Sequence, residues 1–246
     1  MWFSNLLIAC AIALPGIAWA DSFRLVTFEY PPYEYTENGE VKGLAVDIVR
    51  ETFKLMNHEV VIDILPWPRC QVLLERGEVD GIFTFFQSDE RQAFTLYSKE
   101  VVVTQTIALW VLENAKIEFN GDLTRLQPYQ FGITPKTSYG ERFDTAIKYG
   151  LLHTEAAASI ESNIRKLMSG RVDIWVSNRD GAHHELKRLG LFGKVRELKL
   201  PIQVVPAFVG FSKLRNHAAL RDSFDQALAT LKHSGAYDAL VKKYAP

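Results

Sequence analysis

The sequence predicts an α/β fold built as two similar lobes joined by two extended segments, and three observations predict it. Strand-like and helix-like periodicity alternate from residue 23 onward, an order that gives a mostly parallel sheet covered by helices. Gly77-Glu78-Val79-Asp80-Gly81-Ile82 is echoed by Gly170-Arg171-Val172-Asp173-Ile174-Trp175, with the two glycines 93 residues apart. Both runs follow a leucine-containing helix end, and both place a C-capping glycine before a strand that opens on aspartate. Residues 101–112 and 203–211 are long apolar strand-like stretches. Two such stretches let the chain cross to a second lobe and return, leaving a cleft between the lobes and a hinge beneath it.

The elements follow in order. Residues 23–28 (FRLVTF) form a short strand that ends at Pro31-Pro32. Residues 44–56 place Val46, Ile48, Val49, Thr52, Phe53 and Met56 on one helical face. Residues 60–65 are a β-branched strand stopped by Pro66, residues 71–76 a helix closed by Gly77, and residues 80–86 another strand. The second cycle has a strand at 129–133, a polar loop at 134–140, helices at 141–149 and 159–168, and a strand after Gly170. Helices at 221–232 and 237–244 return the chain to the first lobe. The expected division is a signal peptide at 1–20, a first lobe of 21–112 plus 207–246, and a second lobe of 113–206.

The first twenty residues answer to export. Leu6 to Leu14 is an apolar run too short to span a bilayer. It precedes Pro15-Gly16 and the small-x-small pattern Ala18-Trp19-Ala20, which predicts cleavage after Ala20 and a periplasmic product. The n-region departs from the usual form, since the Met1 amino group is its only positive charge. Leu7-Ile8-Ala9-Cys10 would support lipidation, but its apolar run before the cysteine is too short. Cleavage removes Cys10 and leaves Cys70 alone, so no intrachain disulfide can form. Cys70 is expected to be a buried, inert thiol rather than a nucleophile.

Lysine and arginine number 28 against 29 aspartate and glutamate, a net charge of −1. That balance argues against nucleic-acid binding, which calls for a basic excess. Adjacent His183 and His184 on a helix point about 100° apart and do not share a metal easily. There is no nucleophile elbow, Walker loop or cysteine-rich metal spacing. No cofactor is expected, and a monomer is.

One turn stands out. The strand-like Phe83-Thr84-Phe85-Phe86 breaks into Ser88-Asp89-Glu90-Arg91, and a second apolar-aromatic segment follows at once. Taken with Tyr30-Pro31-Pro32-Tyr33-Glu34-Tyr35, Gly43, Asp47, Tyr97-Ser98, Lys136-Thr137-Ser138 and the two G-x-V-D runs, the chain resembles the bacterial periplasmic solute-binding proteins of the polar amino-acid type. The likeness covers nearly everything after residue 20. It implies two Rossmann-like lobes with a double-crossover hinge, the type II periplasmic binding protein fold. It also implies a cleft that closes on a small carboxylate ligand, with an ABC permease as partner.

The same resemblance implies site roles. Arg91 grips the ligand carboxylate, which a guanidinium matches with two parallel hydrogen bonds, and Ser88 donates from the same turn. The alternative for Arg91 is a surface ion pair with Asp89 or Glu90. Lys136, Thr137 and Ser138 close over the carboxylate from the second lobe, or Thr137 or Ser138 simply caps a helix. Tyr30 stacks on the ligand, while Tyr33 and Tyr35 belong to core or rim. Thr84 and Phe85 stand where backbone carbonyls accept from a ligand ammonium. Trp67 and Arg69 lie at the cleft edge, or else Trp67 packs into the first lobe and Arg69 is solvated. Glu29 is a candidate for the variable end of the ligand.

The chain departs from the pattern at Ser177-Asn178-Arg179-Asp180, where Asn178 takes the place of an aspartate that meets the α-ammonium. An amide can accept a hydrogen bond but supplies no counter-charge. Either Asp180 substitutes or the ligand lacks the ammonium. The rival to simple binding resembles cyclohexadienyl dehydratase, with Arg69, Arg91, Lys136 and Arg179 as cations and Glu29 or Glu34 as acid. Nothing in the sequence marks either glutamate as having a raised pKa. A sensory receptor without a permease is the third reading.

Overall fold

A computed structural model describes residues 21–135 and 137–244. The expected signal segment with its site after Ala20, Cys10 and Lys136 lie outside the described residues.

In the first lobe β1 (Ser22–Thr27), β4 (Glu59–Ile64) and β5 (Gly81–Phe85) run parallel. The helix α1 (Leu44–Leu55) buries Val46, Ile48, Val49, Thr52 and Phe53, the face that the apolar spacing predicts. Met56 lies just past the helix as its C-cap. The loop between β1 and α1 carries a small hairpin, β2 (Tyr35–Glu37) and β3 (Glu40–Lys42). Asn38 and Gly39 turn it with φ of 53° and 81°, the left-handed pair that a two-residue hairpin requires. The helix α2 (Trp67–Glu75) begins four residues before the expected position, because Pro68 sits in its first turn, where no backbone donor is missed. A single turn α3 (Asp89–Gln92) and the short strand β6 (Thr95–Tyr97) lead into β7 (Val103–Leu112).

The second lobe repeats the plan. Its strands β8 (Gln130–Ile133), β9 (His153–Ala156) and β10 (Ile174–Asn178) are parallel neighbours. The helices α4 (Glu141–Lys148), α5 (Ile160–Met168) and α6 (Arg179–Arg188) cover them, and β11 (Val195–Glu197) pairs with β7. The last strand, β12 (Gln203–Ser212), returns to the first lobe, where α7 (Ala218–His233) and α8 (Ala236–Tyr244) pack on α1.

Strand order states the relationship. The first sheet reads β4-β1-β5-β12 and the second β9-β8-β10-β7, within one continuous path. Each lobe thus has three parallel strands and one antiparallel strand exchanged with the other lobe. The sheet is therefore mixed, with the parallel strands running out to each lobe's edge and the antiparallel strands β12 and β7 at the middle. Gln203 to Ala207 of β12 pair with Ile107 to Val103 of β7, and this antiparallel ribbon is the double crossover. Residues 107–112 pair with β10 and β11, so we propose that the lobes divide near residue 105 rather than at 112.

The sequence echo has a physical meaning. The Asp80 carboxylate accepts from the Arg24 backbone N–H at 2.7 Å, and the Asp80 N–H donates back to the Arg24 carbonyl at 2.9 Å. Asp173 does the same to Gln130 at 2.8 and 2.9 Å. Each aspartate ties the start of one parallel strand to its neighbour. Four apolar clusters, one on each face of each sheet, make the cores. Cys70 is buried within one of them, its thiol donating to the Thr27 carbonyl at 3.2 Å, and burial pushes that thiol up to about 12. It has the surroundings of an inert core thiol.

Candidate functional site

The C-terminal ends of β5 and β10 face each other across the crossover, the position at which open α/β sheets hold ligands. Between them lies a cavity of about 640 Å³. Phe28, Glu29, Tyr30, Trp67, Thr84, Phe86 and Arg91 line it from the first lobe. Thr134, Thr137, Ser138, Tyr139, Ser177 and Asn178 line it from the second, and Gln105 of the crossing strand forms part of the wall between them.

Arg91, expected to reach into the cleft from a short charged turn, is half-buried on the cavity wall. Ser88 caps the turn by accepting from the Arg91 N–H at 3.3 Å. The guanidinium donates through Nη1 to the Phe86 carbonyl at 3.0 Å and lies 4.6 Å from the Phe85 ring centroid and 5.6 Å from that of Trp67. Burial lowers its pKa. Neither Asp89 nor Glu90 pairs with it, and among the described residues no carboxylate does. A desolvated guanidinium with donors still open and no counter-ion is ready for an anion.

The loop Tyr30–Glu34 is shaped by the start of α1. The Leu44 N–H donates to the Pro32 carbonyl at 3.0 Å and the Ala45 N–H to the Tyr33 carbonyl at 2.9 Å, so the loop itself caps the helix. This close approach requires Gly43, since a Cβ there would lie 2.2 Å from the Tyr33 oxygen. The result is an aromatic ladder. Phe28 stacks on Tyr30 with centroids 5.0 Å apart, Trp67 tilts against Phe28 at 4.6 Å, and Tyr33 stacks behind Tyr30 at 5.8 Å. Phe28, Tyr30 and Trp67 present this ladder to the cavity.

Thr84 sits at φ 54°, a left-handed conformation that is rare for a β-branched residue. Thr84 lies in a bulge of β5, where Phe83 and Thr84 stand opposite the single residue Val209 of β12. The Thr84 hydroxyl contacts Glu34 Oε1 at 2.5 Å, behind the cavity wall. Glu34 is fully buried, and burial pushes its carboxyl well above the usual range; Thr84 and Thr27 only partly oppose the shift. Burial thus raises the Glu34 carboxyl, which the sequence does not signal, but this side chain does not line the cavity.

The remaining expected residues fall in different places. Phe85 is fully buried under Arg91 and does not line the cavity, Ser88 is exposed beside it, and Arg69 is solvent-exposed on α2. Trp67 reaches the cavity, so the Trp67-Pro68-Arg69 run splits, its aromatic inward and its cation outward. Glu29 reaches the rim, where its carboxylate accepts from the Thr36 N–H at 3.0 Å. Ser138 donates to Asp144 at 2.5 Å, and the N-cap of α4 is Gly140 rather than Thr137 or Ser138. Arg179 forks onto Glu197 of β11 with contacts of 2.6 to 3.1 Å and is outside the cavity.

Asn178 caps α6, its Oδ1 accepting from the Gly181 N–H at 3.0 Å. Its Nδ2 donates to Tyr33 Oη at 3.3 Å and Gln105 Oε1 at 3.4 Å. Asp180 accepts from Tyr33 Oη at 2.5 Å and faces a separate groove of about 380 Å³ beside His183, His184 and Lys187. His183 packs edge-on against Trp110, and no metal cluster forms among the described residues. Gln105, Phe28 and Tyr139 are cavity residues that sequence reasoning passed over. Only Gln105 carries a signal for it, as the centre of the polar run Thr104-Gln105-Thr106 in an otherwise apolar crossing strand.

Residues 25–246 match the family model of the bacterial extracellular solute-binding proteins, family 3. The probable amino-acid-binding protein YxeM of Bacillus subtilis (strain 168) is 23% identical over 217 residues, 87% of this chain and 79% of that protein. A histidine kinase sensor domain with similarity to periplasmic binding proteins superposes with a TM-score of 0.79 at 18% identity, covering 92% of this chain and 96% of that one. The ancestral amino acid-binding protein AncCDT-1, a precursor of cyclohexadienyl dehydratase, gives 0.74 at 20% identity, covering 91% and 95%. At these identities the structural likeness speaks for the fold, a type II periplasmic binding protein architecture.

Proposed function

Because the chain belongs to the bacterial extracellular solute-binding proteins, family 3, we propose that it binds a small carboxylate-bearing solute, related to the amino acids of its named relatives, in the interlobe cleft. The observation that carries this reading is Arg91, a half-buried guanidinium on the cavity wall without a carboxylate partner among the described residues. The ligand carboxylate completes its hydrogen bonds at a half-buried position, where charge-assisted bonds are strong.

Thr137 and Ser138 approach the same anion from the second lobe, and the aromatic ladder receives the ligand's body. A ligand that touches both lobes favours the closed arrangement by its differential affinity, and the antiparallel ribbon of β7 and β12 is where the lobes pivot. The product is exported to the periplasm with cleavage after Ala20, acts as a monomer, and delivers its ligand to an ABC permease in the inner membrane.

A dehydratase-like reaction calls for a protonated acid in contact with the ligand. Glu34 has the protonation but is sealed behind Thr84, and Glu29 is exposed at the rim. The geometry therefore favours binding without turnover. The test is a thermal-shift screen of small carboxylates, each paired with its uncharged amide. Stabilisation by acids and not by their amides supports the reading, since a ligand at about a hundredfold excess over Kd adds about 2.7 kcal/mol. Equal response to acid and amide contradicts it.

A further inference from the structure

An α-ammonium withdrawn from water needs a carboxylate or several strong acceptors aimed at it, and the second lobe aims neither. Asn178 is the last residue of β10 and lines the cavity beside Ser177. Its Oδ1 takes the Gly181 N–H at 3.0 Å as the cap of α6, and the second lone pair of that oxygen belongs to a neutral amide that offers no counter-charge. Its NH₂ donors are held by Tyr33 Oη and Gln105 Oε1. Asp180, two residues on, accepts from Tyr33 at 2.5 Å and faces the neighbouring groove rather than the cavity.

Two other carboxylates reach the cavity from the second lobe, and both are already matched. Arg188 Nη2 lies 2.5 Å from Glu161 Oε2 and 2.6 Å from Glu185 Oε1, and Arg165 adds a second contact to Glu161 at 2.6 Å. In the first lobe Glu29 is exposed and holds the Thr36 N–H. Arg91 and Glu29 are thus the charges on the described walls without an opposite partner, Arg91 half-buried and Glu29 exposed at the rim. The first lobe also presents the rings of Phe28 and Tyr30, stacked on each other, and of Trp67, tilted against Phe28, an apolar surface suited to a ring or branched chain.

We propose that the cleft selects carboxylates that carry an apolar or aromatic body and no amino group beside the carboxylate, with Asn178 as the residue that sets this preference. The proposal rests on the reading of the cleft as a carboxylate site and narrows it to desamino acids. Asn178 disfavours the ammonium by giving it no counter-charge, its donors being held by Tyr33 and Gln105, and Asp180 is held away by Tyr33.

The experiment is calorimetric titration of the full-length mature protein with three pairs that differ only in the amino group. These are phenylalanine and phenylpropionate, tyrosine and hydroxyphenylpropionate, and leucine and isocaproate. The expected result is tighter binding of the desamino member by roughly tenfold or more in each pair that binds, about 1.4 kcal/mol per tenfold. Asn178→Asp keeps the helix cap, since aspartate caps as well as asparagine, and is expected to shift the preference toward the amino acid. Amino acids binding the wild-type protein as tightly as their desamino partners would overturn the proposal while leaving carboxylate recognition intact. Absence of binding by both members of all three pairs would overturn the carboxylate reading and this proposal together.

Discussion

Tyr33 of the first lobe donates its hydroxyl to Asp180 of the second at 2.5 Å, and Asn178 Nδ2 reaches the same oxygen at 3.3 Å. The tyrosine is 1% exposed, so its ring is core while its hydroxyl is a contact between lobes. Burial, followed by the charge of Asp180, pushes its pKa upward, which keeps it a donor. Nearby, the Pro31 carbonyl approaches α6 so closely that a side chain at Gly181 would lie 3.3 Å from it. The lobes therefore touch through a polar latch beside the cavity.

Tyr33→Phe keeps the ring and deletes the latch. A hydrogen bond to a charged group contributes about 1.5 to 3 kcal/mol, so the closed form loses part of its advantage and affinity falls roughly tenfold. Small-angle scattering of the unliganded variant is expected to show a larger radius of gyration than the wild type. Unchanged affinity and unchanged scattering would remove the latch from the account.

Gly43→Ala tests the positioning of the aromatic ladder. The added Cβ meets the Tyr33 carbonyl oxygen at 2.2 Å and the backbone must hold φ 130°. The loss is on the order of 3 kcal/mol, or roughly 6 to 12 °C in melting temperature for a chain of this size. A variant that melts with the wild type would mean that the Tyr30–Glu34 loop is not fixed by α1.

Glu34 makes stability depend on pH in a stated direction. Its folded carboxyl is held neutral by burial, while the unfolded chain ionises near the ordinary glutamate value of about 4.3. Stability from this group is complete below that value and is lost as pH rises toward the folded pKa, because only the unfolded state releases the proton. Glu34→Gln removes the titration. The variant is expected to gain on the wild type between about pH 5 and about pH 8 in chemical denaturation. Parallel stability curves over that range would show that Glu34 does not stay protonated in the fold.

Much of the architecture was legible because local chemistry and tertiary structure agree. The G-x-V-D runs predict a capped helix followed by a strand, and Asp80 and Asp173 turn out to bind the adjacent strand in the same way. Arg91 was legible because an apolar strand that stops at Ser-Asp-Glu-Arg has no core reason to do so. The start of α2 was not, since two prolines around Trp67 suggest a loop although the first helical turn tolerates them. Tyr33 was read as core or rim because its partner lies 147 residues away. The orientation of Asn178 follows from its capping of α6, which sequence alone leaves open. The β2–β3 hairpin could have been found from Asn38-Gly39, the strongest short hairpin signal.

The most direct test of carboxylate capture is to compare wild type with Arg91→Lys by calorimetry, using the tightest-binding acid from the thermal-shift screen. Lysine retains the charge but loses the planar fork that pairs with both carboxylate oxygens. The account predicts affinity lower by roughly tenfold to a hundredfold, the worth of about 1.5 to 3 kcal/mol of charge-assisted hydrogen bonding, with melting temperature unchanged in the absence of ligand. Equal affinity in the two proteins would contradict it and would place the ligand elsewhere than against Arg91.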